Sequence, residues 1–186
     1  HTLTIGAGGD DTHHLGAAGI ITMANAGDST TIDGDITLSH TQFNADAALI
    51  LTANTNYTGD VDSTLGGDGT LTFQGTSVFS GTIGAGAAVG SMVHNSTDTV
   101  EIQGATVQVQ TIDLDGAGTT EFSGASAAIT STSGIDLAGG HTMDLSGANQ
   151  QVNGDINSSD NSGILDINGA SATINGNVGN TNNLAT

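Results

Sequence analysis

The stretch of sequence that decides the fold runs from Gly69 to Gly86 and reads GTLTFQGTSVFSGTIGAG. Its first half contains LTFQG (71–75), in which apolar and polar residues alternate before a glycine. Its second half contains FSGTI (79–83), in which a glycine lies at the centre of a similar alternation. Because alternation with a period of two is typical of a strand that buries one face, the stretch predicts two short β-strands joined through glycine.

Both patterns recur along the chain. The first returns as VEIQG (100–104), TEFSG (120–124), MDLSG (143–147) and LDING (165–169), so that its glycines are spaced by 29, 20, 23 and 22 residues. The second occurs as IDGDI (32–36), YTGDV (57–61), FSGTI (79–83), VNGDI (152–156) and INGNV (174–178), with spacings of 25, 22 and, in the later pair, 22 residues. Two markers with a common spacing predict one structural repeat of about 22 residues.

A unit of this size cannot bury its own apolar face, whereas units stacked along an axis bury it continuously. The sequence therefore predicts an all-β fold, a parallel β-solenoid of the right-handed β-helix type, with about 22 residues per coil and roughly eight coils. Inward Val, Ile, Leu and Phe are expected to form apolar ladders, and outward Thr, Asp, Asn and Gln to form polar ones. Segment 42–52 comes nearest to a helical pattern, but we interpret its end as a buried strand. An antiparallel β-sandwich is the alternative, although it requires no such repeat and usually contains more aromatic residues.

We expect the 186 residues to form one solenoid segment of a longer polypeptide, with less regular coils over 1–68 and regular coils over 69–186. The composition lacks Lys, Arg, Pro and Cys, and 19 acidic residues give a net charge of −19. Because nothing on such a surface neutralises a phosphate, we expect no nucleic-acid partner and no attraction to anionic membranes. No apolar run is long enough to cross a bilayer as a helix, so we expect no membrane insertion by this segment.

Three phrases carry a resemblance to a known family: GTLTFQGTSVFSGTIGAG (69–86), TTEFSGASAAIT (119–130) and ILDINGASATINGNVGNTNNL (164–184). In style they resemble the passenger domains of bacterial autotransporters and large repetitive surface antigens. The resemblance implies a right-handed β-helix at the bacterial cell surface, outside the cell. It implies location and architecture more firmly than any activity.

Calcium is the cofactor that the acidic turns favour, since it takes carboxylate and carbonyl oxygens. Asp33 and Asp35 flank a glycine, and Asp60 and Asp62 flank a valine. Asp68 lies in GGDG (66–69), which resembles part of one calcium-binding nonapeptide repeat. These five residues are the candidate calcium ligands, and solvated acidic turns are the alternative interpretation.

Catalysis is not expected, although some solenoids cleave polysaccharides. The sequence GDD (9–11) resembles the paired carboxylates of pectin-degrading hydrolases. The basic residue and the histidine motif that accompany it in that family are missing, because the chain contains no Lys or Arg. His13 and His14 lie close to Asp10 and Asp11, but adjacent strand residues point to opposite faces. Thr ladders suited to ice binding are also not expected, because the outward positions are mixed.

We expect the segment to be a structural component of an extracellular surface assembly, such as a filament, fibre or surface coat. The alternative is an adhesin passenger that binds a ligand on a host or neighbouring cell. That alternative depends on Gly84–Asp98, where the first marker gives about seven residues more than one period and predicts an inserted loop. Open solenoid ends expose strand edges, so self-association or contact with neighbouring coils of the same protein is expected.

Overall fold

The computed structural model describes residues 2–5, 12–14, 19–180 and 182–185. These residues form strands and no helix. The strands in chain order are β1 (Thr2–Ile5), β2 (Thr12–His14), β3 (Ile20–Met23), β4 (Ser29–Ile32), β5 (Asp35–Phe43), β6 (Ala48–Leu51), β7 (Thr55–Ser63), β8 (Thr70–Phe73), β9 (Ser77–Ser80), β10 (Val89–His94), β11 (Thr99–Ile102), β12 (Thr106–Leu114), β13 (Thr119–Phe122), β14 (Ala128–Leu137), β15 (Thr142–Leu145), β16 (Gln150–Asn153), β17 (Ile156–Asn157), β18 (Ile164–Ile167) and β19 (Ala172–Asn175).

Every pairing between these strands is parallel, and paired strands lie about 22 residues apart, so the chain is a β-solenoid of about seven turns. The prediction of a parallel solenoid with this period is therefore confirmed. Segment 48–51, interpreted as a buried strand, is β6.

The pairing register divides the solenoid into three faces, because β5, β7, β12 and β14 bend at a corner and each contributes to two of them. Face one is formed by residues 12–14, 35–37, 55–58, 77–80, 99–102, 119–122, 142–145 and 164–167. Face two is formed by residues 2–5, 29–32, 48–51, 70–73, 91–94, 111–114, 134–137 and 156–157. Face three is formed by residues 20–23, 40–43, 60–63, 83, 106–109, 128–131, 150–153 and 172–175. The chain visits face one, then face three, then face two in each turn.

The core consists of columns of inward-facing side chains, one residue per coil, in which apolar residues stack on apolar residues. Face one contributes Tyr57, Phe79, Ile102, Phe122 and Leu145, all essentially inaccessible to solvent. The rings of Tyr57 and Phe79 stack with centroids 4.9 Å apart. Such ladders bury apolar area at every coil, which is how a chain poor in large side chains builds a continuous core.

One sequence marker lies on two different faces, and this corrects the expected loop at Gly84–Asp98. LTFQG (71–75) begins on face two, whereas VEIQG (100–104) begins on face one. Strand β11 stacks on β9 with Val100 paired to Ser77, so this coil is of ordinary length. The prediction of an inserted loop is therefore wrong, because every face has the same apolar–polar alternation and a pattern match does not identify the face.

The second marker forms a corner between two strands, and copies of it occur at all three corners of the coil. Gly34 joins face two to face one, Gly59 and Gly81 join face one to face three, and Gly154 and Gly176 join face three to face two. Four of these glycines have a positive φ in the left-handed region, from 110° at Gly34 to 158° at Gly81. The motif therefore specifies a bend between strands rather than a particular place in the coil.

A column of glycines runs along the corner between faces one and three. It consists of Gly59, Gly81, Gly104, Gly124, Gly147 and Gly169. A methyl group added at Gly104 would lie 1.8 Å from the carbonyl oxygen of Gly81, and one at Gly169 would lie 2.0 Å from that of Gly147. Only glycine therefore allows the backbones of successive coils to approach at this corner.

The coil formed by β18 and β19 leaves part of its apolar surface open. Ile167 and Val178 stack above Leu145 and Ile156 respectively, yet each has 47% of its surface exposed. Ile164 lies at an outward position of face one, paired with Thr142, and is 40% exposed. The inward columns are therefore less covered at this coil than in the coils below it.

Candidate functional site

The five predicted calcium ligands lie along the corners and outward faces of the early coils. Asp33 accepts a hydrogen bond from the Thr52 hydroxyl (2.8 Å). Asp35 accepts from the backbone N–H of Asn56 (3.0 Å) and from its side-chain amide (2.7 Å). Each donor belongs to the next coil, so both carboxylates link two coils.

The same arrangement recurs at Asp60 and Asp62. Asp60 Oδ1 accepts from the backbone N–H and the hydroxyl of Thr82, each at 2.8 Å. Asp62 Oδ1 accepts from the backbone N–H of Gly86 (2.8 Å), and its Oδ2 lies 3.9 Å from Nδ1 of His40. For Asp68, the backbone carbonyl accepts from the Gly90 N–H (2.9 Å).

We name this arrangement the aspartate bracket: a carboxylate on one coil that accepts from a backbone N–H on the coil above. Asp155 forms a further bracket with Asn177 (2.8 Å), and Asp136 forms one with Ser159 (2.7 Å). Because the chain contains no Lys or Arg, neutral donors take the place of ion pairs between coils. Charge-assisted hydrogen bonds of this kind are stronger than neutral ones.

The residues that the structure describes contain no group of three or more His, Cys, Asp or Glu side chains that could hold a metal ion. Each of four predicted ligands instead accepts hydrogen bonds from donors of the next coil: Asp33, Asp35, Asp60 and Asp62. Calcium binding by the five predicted residues stays a prediction. The paired carboxylates of GDD (9–11) lie outside the described residues, and of His13 and His14 only the backbone is described.

Face one carries a ladder of acidic side chains, which we name the acidic ladder: Glu101, Glu121, Asp144 and Asp166. A donor from the next coil approaches the three lower carboxylates, as Ser123 does to Glu101 (2.7 Å) and Ser146 does to Glu121 (2.6 Å). Asn168 donates to both Asp144 and Asp166, each at 3.1 Å.

Burial raises the pKa of Asp144, the Asn168 hydrogen bond lowers it, and the neighbouring charges of Asp166 and Glu121 raise it further. A second acidic pair lies on face two, where Asp113 stacks on Asp136. The pKa of Asp113 is raised first by burial and then by the charges of Asp136 and Asp115. These ladders concentrate negative charge on the outward surface and are held apart by neutral donors.

The feature that sequence analysis missed is a buried pair of histidines. His94 and His141 are both fully inaccessible, and their ring centroids lie 4.7 Å apart with the rings nearly perpendicular. His94 occupies an apolar inward column between Phe73 and Leu114. The period-two alternation places residue 94 inward, which was the available signal, but the scattered spacing of the histidines gave no sign that two of them meet.

A chain of hydrogen bonds passes through this pair, and we name it the histidine relay. It runs from the Ser96 hydroxyl to His94 Nε2 (2.9 Å), from His94 Nδ1 to the Thr120 hydroxyl (2.8 Å), from there to His141 Nε2 (3.0 Å), and from His141 Nδ1 to the Gly116 carbonyl (3.1 Å). It spans three successive coils. Burial lowers the pKa of His94 to about 4, the nearby His141 lowers it further and Asp98 opposes the shift. Burial also lowers the pKa of His141.

Comparison with protein-family models, with curated proteins and with solved structures finds no match to this chain. Within the described residues there is no helix of the length and hydrophobicity that crossing a membrane would need. The functional argument therefore depends on the geometry of the solenoid itself.

Proposed function

We propose that this chain is a structural component of an extracellular bacterial surface assembly, a filament, fibre or surface coat built from stacked coils. The observation that carries the proposal is the continuous parallel stacking of the coils up to the strand edge of β18 and β19, where the inward Ile167 and Val178 are each 47% exposed. A parallel strand edge with unpaired N–H and C=O groups is a template for a further strand. A further coil, from the same protein or from a second molecule, covers this end in register.

The surface chemistry supports the same proposal. A net charge of −19 keeps the outward faces of neighbouring solenoids apart, whereas the coil of β18 and β19 exposes the inward apolar side chains of Ile167 and Val178. Lateral aggregation is thus disfavoured and axial stacking is favoured. The cell-surface location comes from the resemblance to autotransporter passengers and surface antigens, and it is part of the proposal. The adhesin alternative loses the inserted loop on which it depended, and no catalytic step is assigned.

Electron microscopy and sedimentation of the purified chain test axial assembly. About seven turns at the usual strand spacing of about 4.8 Å give a rod on the order of 35 Å long, so we expect rods several times that length. The double variant Ile167→Lys, Val178→Lys places charge on the open end and is expected to leave single rods. The matched control is Thr132→Lys on an exposed bend, which should assemble as the parent does. If the parent chain stays monomeric at all concentrations, axial assembly is refuted.

A further inference from the structure

The hydrogen bonds of the histidine relay fix which ring nitrogen carries the proton when both rings are neutral. A carbonyl oxygen only accepts, so His141 Nδ1 donates to Gly116 and carries a proton. When the ring is neutral, His141 Nε2 then accepts from the Thr120 hydroxyl. Thr120 in turn accepts from His94 Nδ1–H, which leaves His94 Nε2 to accept from Ser96. Every hydrogen bond is thus satisfied in one direction when both imidazoles are neutral.

Protonation of either ring removes an acceptor from this chain. A proton on His141 Nε2 leaves the hydroxyl hydrogen of the buried Thr120 facing a donor, and a proton on His94 Nε2 turns the hydroxyl hydrogen of the half-buried Ser96 away from the ring. Both rings are fully buried, so the added charge also lacks water to solvate it. An unsatisfied buried polar group and an unpaired buried charge are each strongly destabilising.

The surroundings offer little compensation for such a charge. The titratable groups that act on the pair are the two imidazoles themselves and the carboxylates of Asp98 and Asp115, both exposed in turns. The carboxylates of the strands packed around the relay are those of β11, β12, β13 and β15. They occupy outward positions, at Glu101, Asp113, Glu121 and Asp144. None of these four side chains occupies an inward position of its strand, whereas the imidazoles lie in the interior.

We propose that the histidine relay is an acid-sensitive joint, which locks three successive coils together when both rings are neutral and releases them when a ring is protonated. The coils above and below contain only apolar ladders at the equivalent inward positions of face two, such as Leu51 and Leu137. Acidification therefore weakens the solenoid first in its middle, between residues 94 and 141. A rod built from this chain would open there at mildly acidic pH.

The first test compares unfolding by denaturant at about pH 7.5 and about pH 5. The unfolded state binds protons with the ordinary histidine pKa of about 6.5, so it gains protons over this range while the folded state does not. For His94 alone, with a folded pKa of about 4, the unfolding equilibrium constant is expected to rise about 30-fold. Variant His94→Leu continues the column between Phe73 and Leu114 and should lose that rise. Variant His40→Gln, at a ring on the outer surface, should keep it.

The second test needs no variant and reads the rings directly. NMR titration of the parent chain should show His94 and His141 as neutral Nδ1–H tautomers that titrate below the ordinary histidine pKa, and hydrogen exchange should show residues 94–141 opening first on acidification. If His94→Leu keeps the full pH dependence, or if the two rings titrate near about pH 6.5 in an intact solenoid, the proposal is overturned.

Discussion

At the scale of the residue, the solenoid is least tolerant of substitutions at its glycines. The column from Gly59 to Gly169 exists because the backbone of one coil touches the backbone of the next at the corner between faces one and three. The conformational entropy that the backbone loses on folding disfavours so many glycines, and the close approach of the coils offsets that cost. The column therefore marks the positions at which stacking is most sensitive to volume.

Variant Gly104→Ala tests this sensitivity. Gly104 has no left-handed φ, so the cost is steric: the added methyl group would lie 1.8 Å from the Gly81 carbonyl oxygen. We expect the free energy of unfolding to fall by about 3 kcal/mol, in the upper range for overpacked sites. Chemical denaturation measures it. The matched control Gly86→Ala, whose methyl group would meet its nearest atoms at 3.4 Å, should change stability little. Equal losses in the two variants would refute the steric explanation.

The residue scale also shows where prediction from sequence stopped. Asp33, Asp35, Asp60 and Asp62 stand out as acidic turn residues, and acidic turns suggest a cation. What composition does not reveal is that a hydrogen-bond donor of the next coil, 19 to 24 residues further along the chain, donates to each of these carboxylates. His94 and His141 were hidden for a similar reason, since contact between them depends on which corner each occupies.

At the scale of the element, the unit of this fold is the corner rather than the strand. Strands on all faces share the same alternation, whereas the corners at Gly34, Gly59 and Gly154 combine a glycine with an aspartate bracket. This is why sequence alone predicted the period and the strands correctly but placed an insertion at Gly84–Asp98 that does not exist. When two copies of one marker lie on different faces, the spacing between them differs from a whole coil by a fraction of a coil. In the sequence, that fraction resembles an insertion.

The bracket at Asp60 provides a prediction at this scale. Variant Asp60→Ala removes the acceptor of both Thr82 donors and leaves a backbone N–H unpaired, so we expect a loss of about 1.5 kcal/mol in the free energy of unfolding. Asp60→Asn keeps an oxygen at the site and should lose less. Asp46→Ala, at an exposed bend, is the control for removal of one charge. Urea titration ranks the three, and an Asp46→Ala loss as large as that of Asp60→Ala would contradict the bracket.

At the scale of the whole molecule, the net negative charge of the chain opposes the stability of its fold. The chain has a net charge of −19 and no Lys or Arg to offset it, so its folded state concentrates like charges that the unfolded chain spreads apart. The ladders increase the repulsion between like charges, because stacking places equivalent side chains at neighbouring strand positions. The brackets and the hydroxyl and amide donors are what allow so many carboxylates to remain ionised on a compact rod.

This opposition predicts that two substitutions with the same change of charge act in opposite directions. Burial and the charges of Asp136 and Asp115 raise the pKa of Asp113, so its ionised form disfavours folding at neutral pH. Asp113→Asn should therefore raise the midpoint of thermal unfolding, on the order of 1–3 °C. The hydroxyl of Ser162 and the backbone N–H groups of Gly139 and Ser162 lower the pKa of Asp160 to about 2.

Asp160 thus contributes stability that is fully present above its unfolded pKa and is lost as the pH falls through the folded value of about 2. Asp160→Asn should lower the midpoint at neutral pH, although it relieves the same unit of net charge. Calorimetry at low ionic strength measures both variants, and added salt should reduce the gain at Asp113 because screening weakens its repulsion. If both variants rose together, net charge alone would govern stability and the arrangement of donors around each carboxylate would be irrelevant.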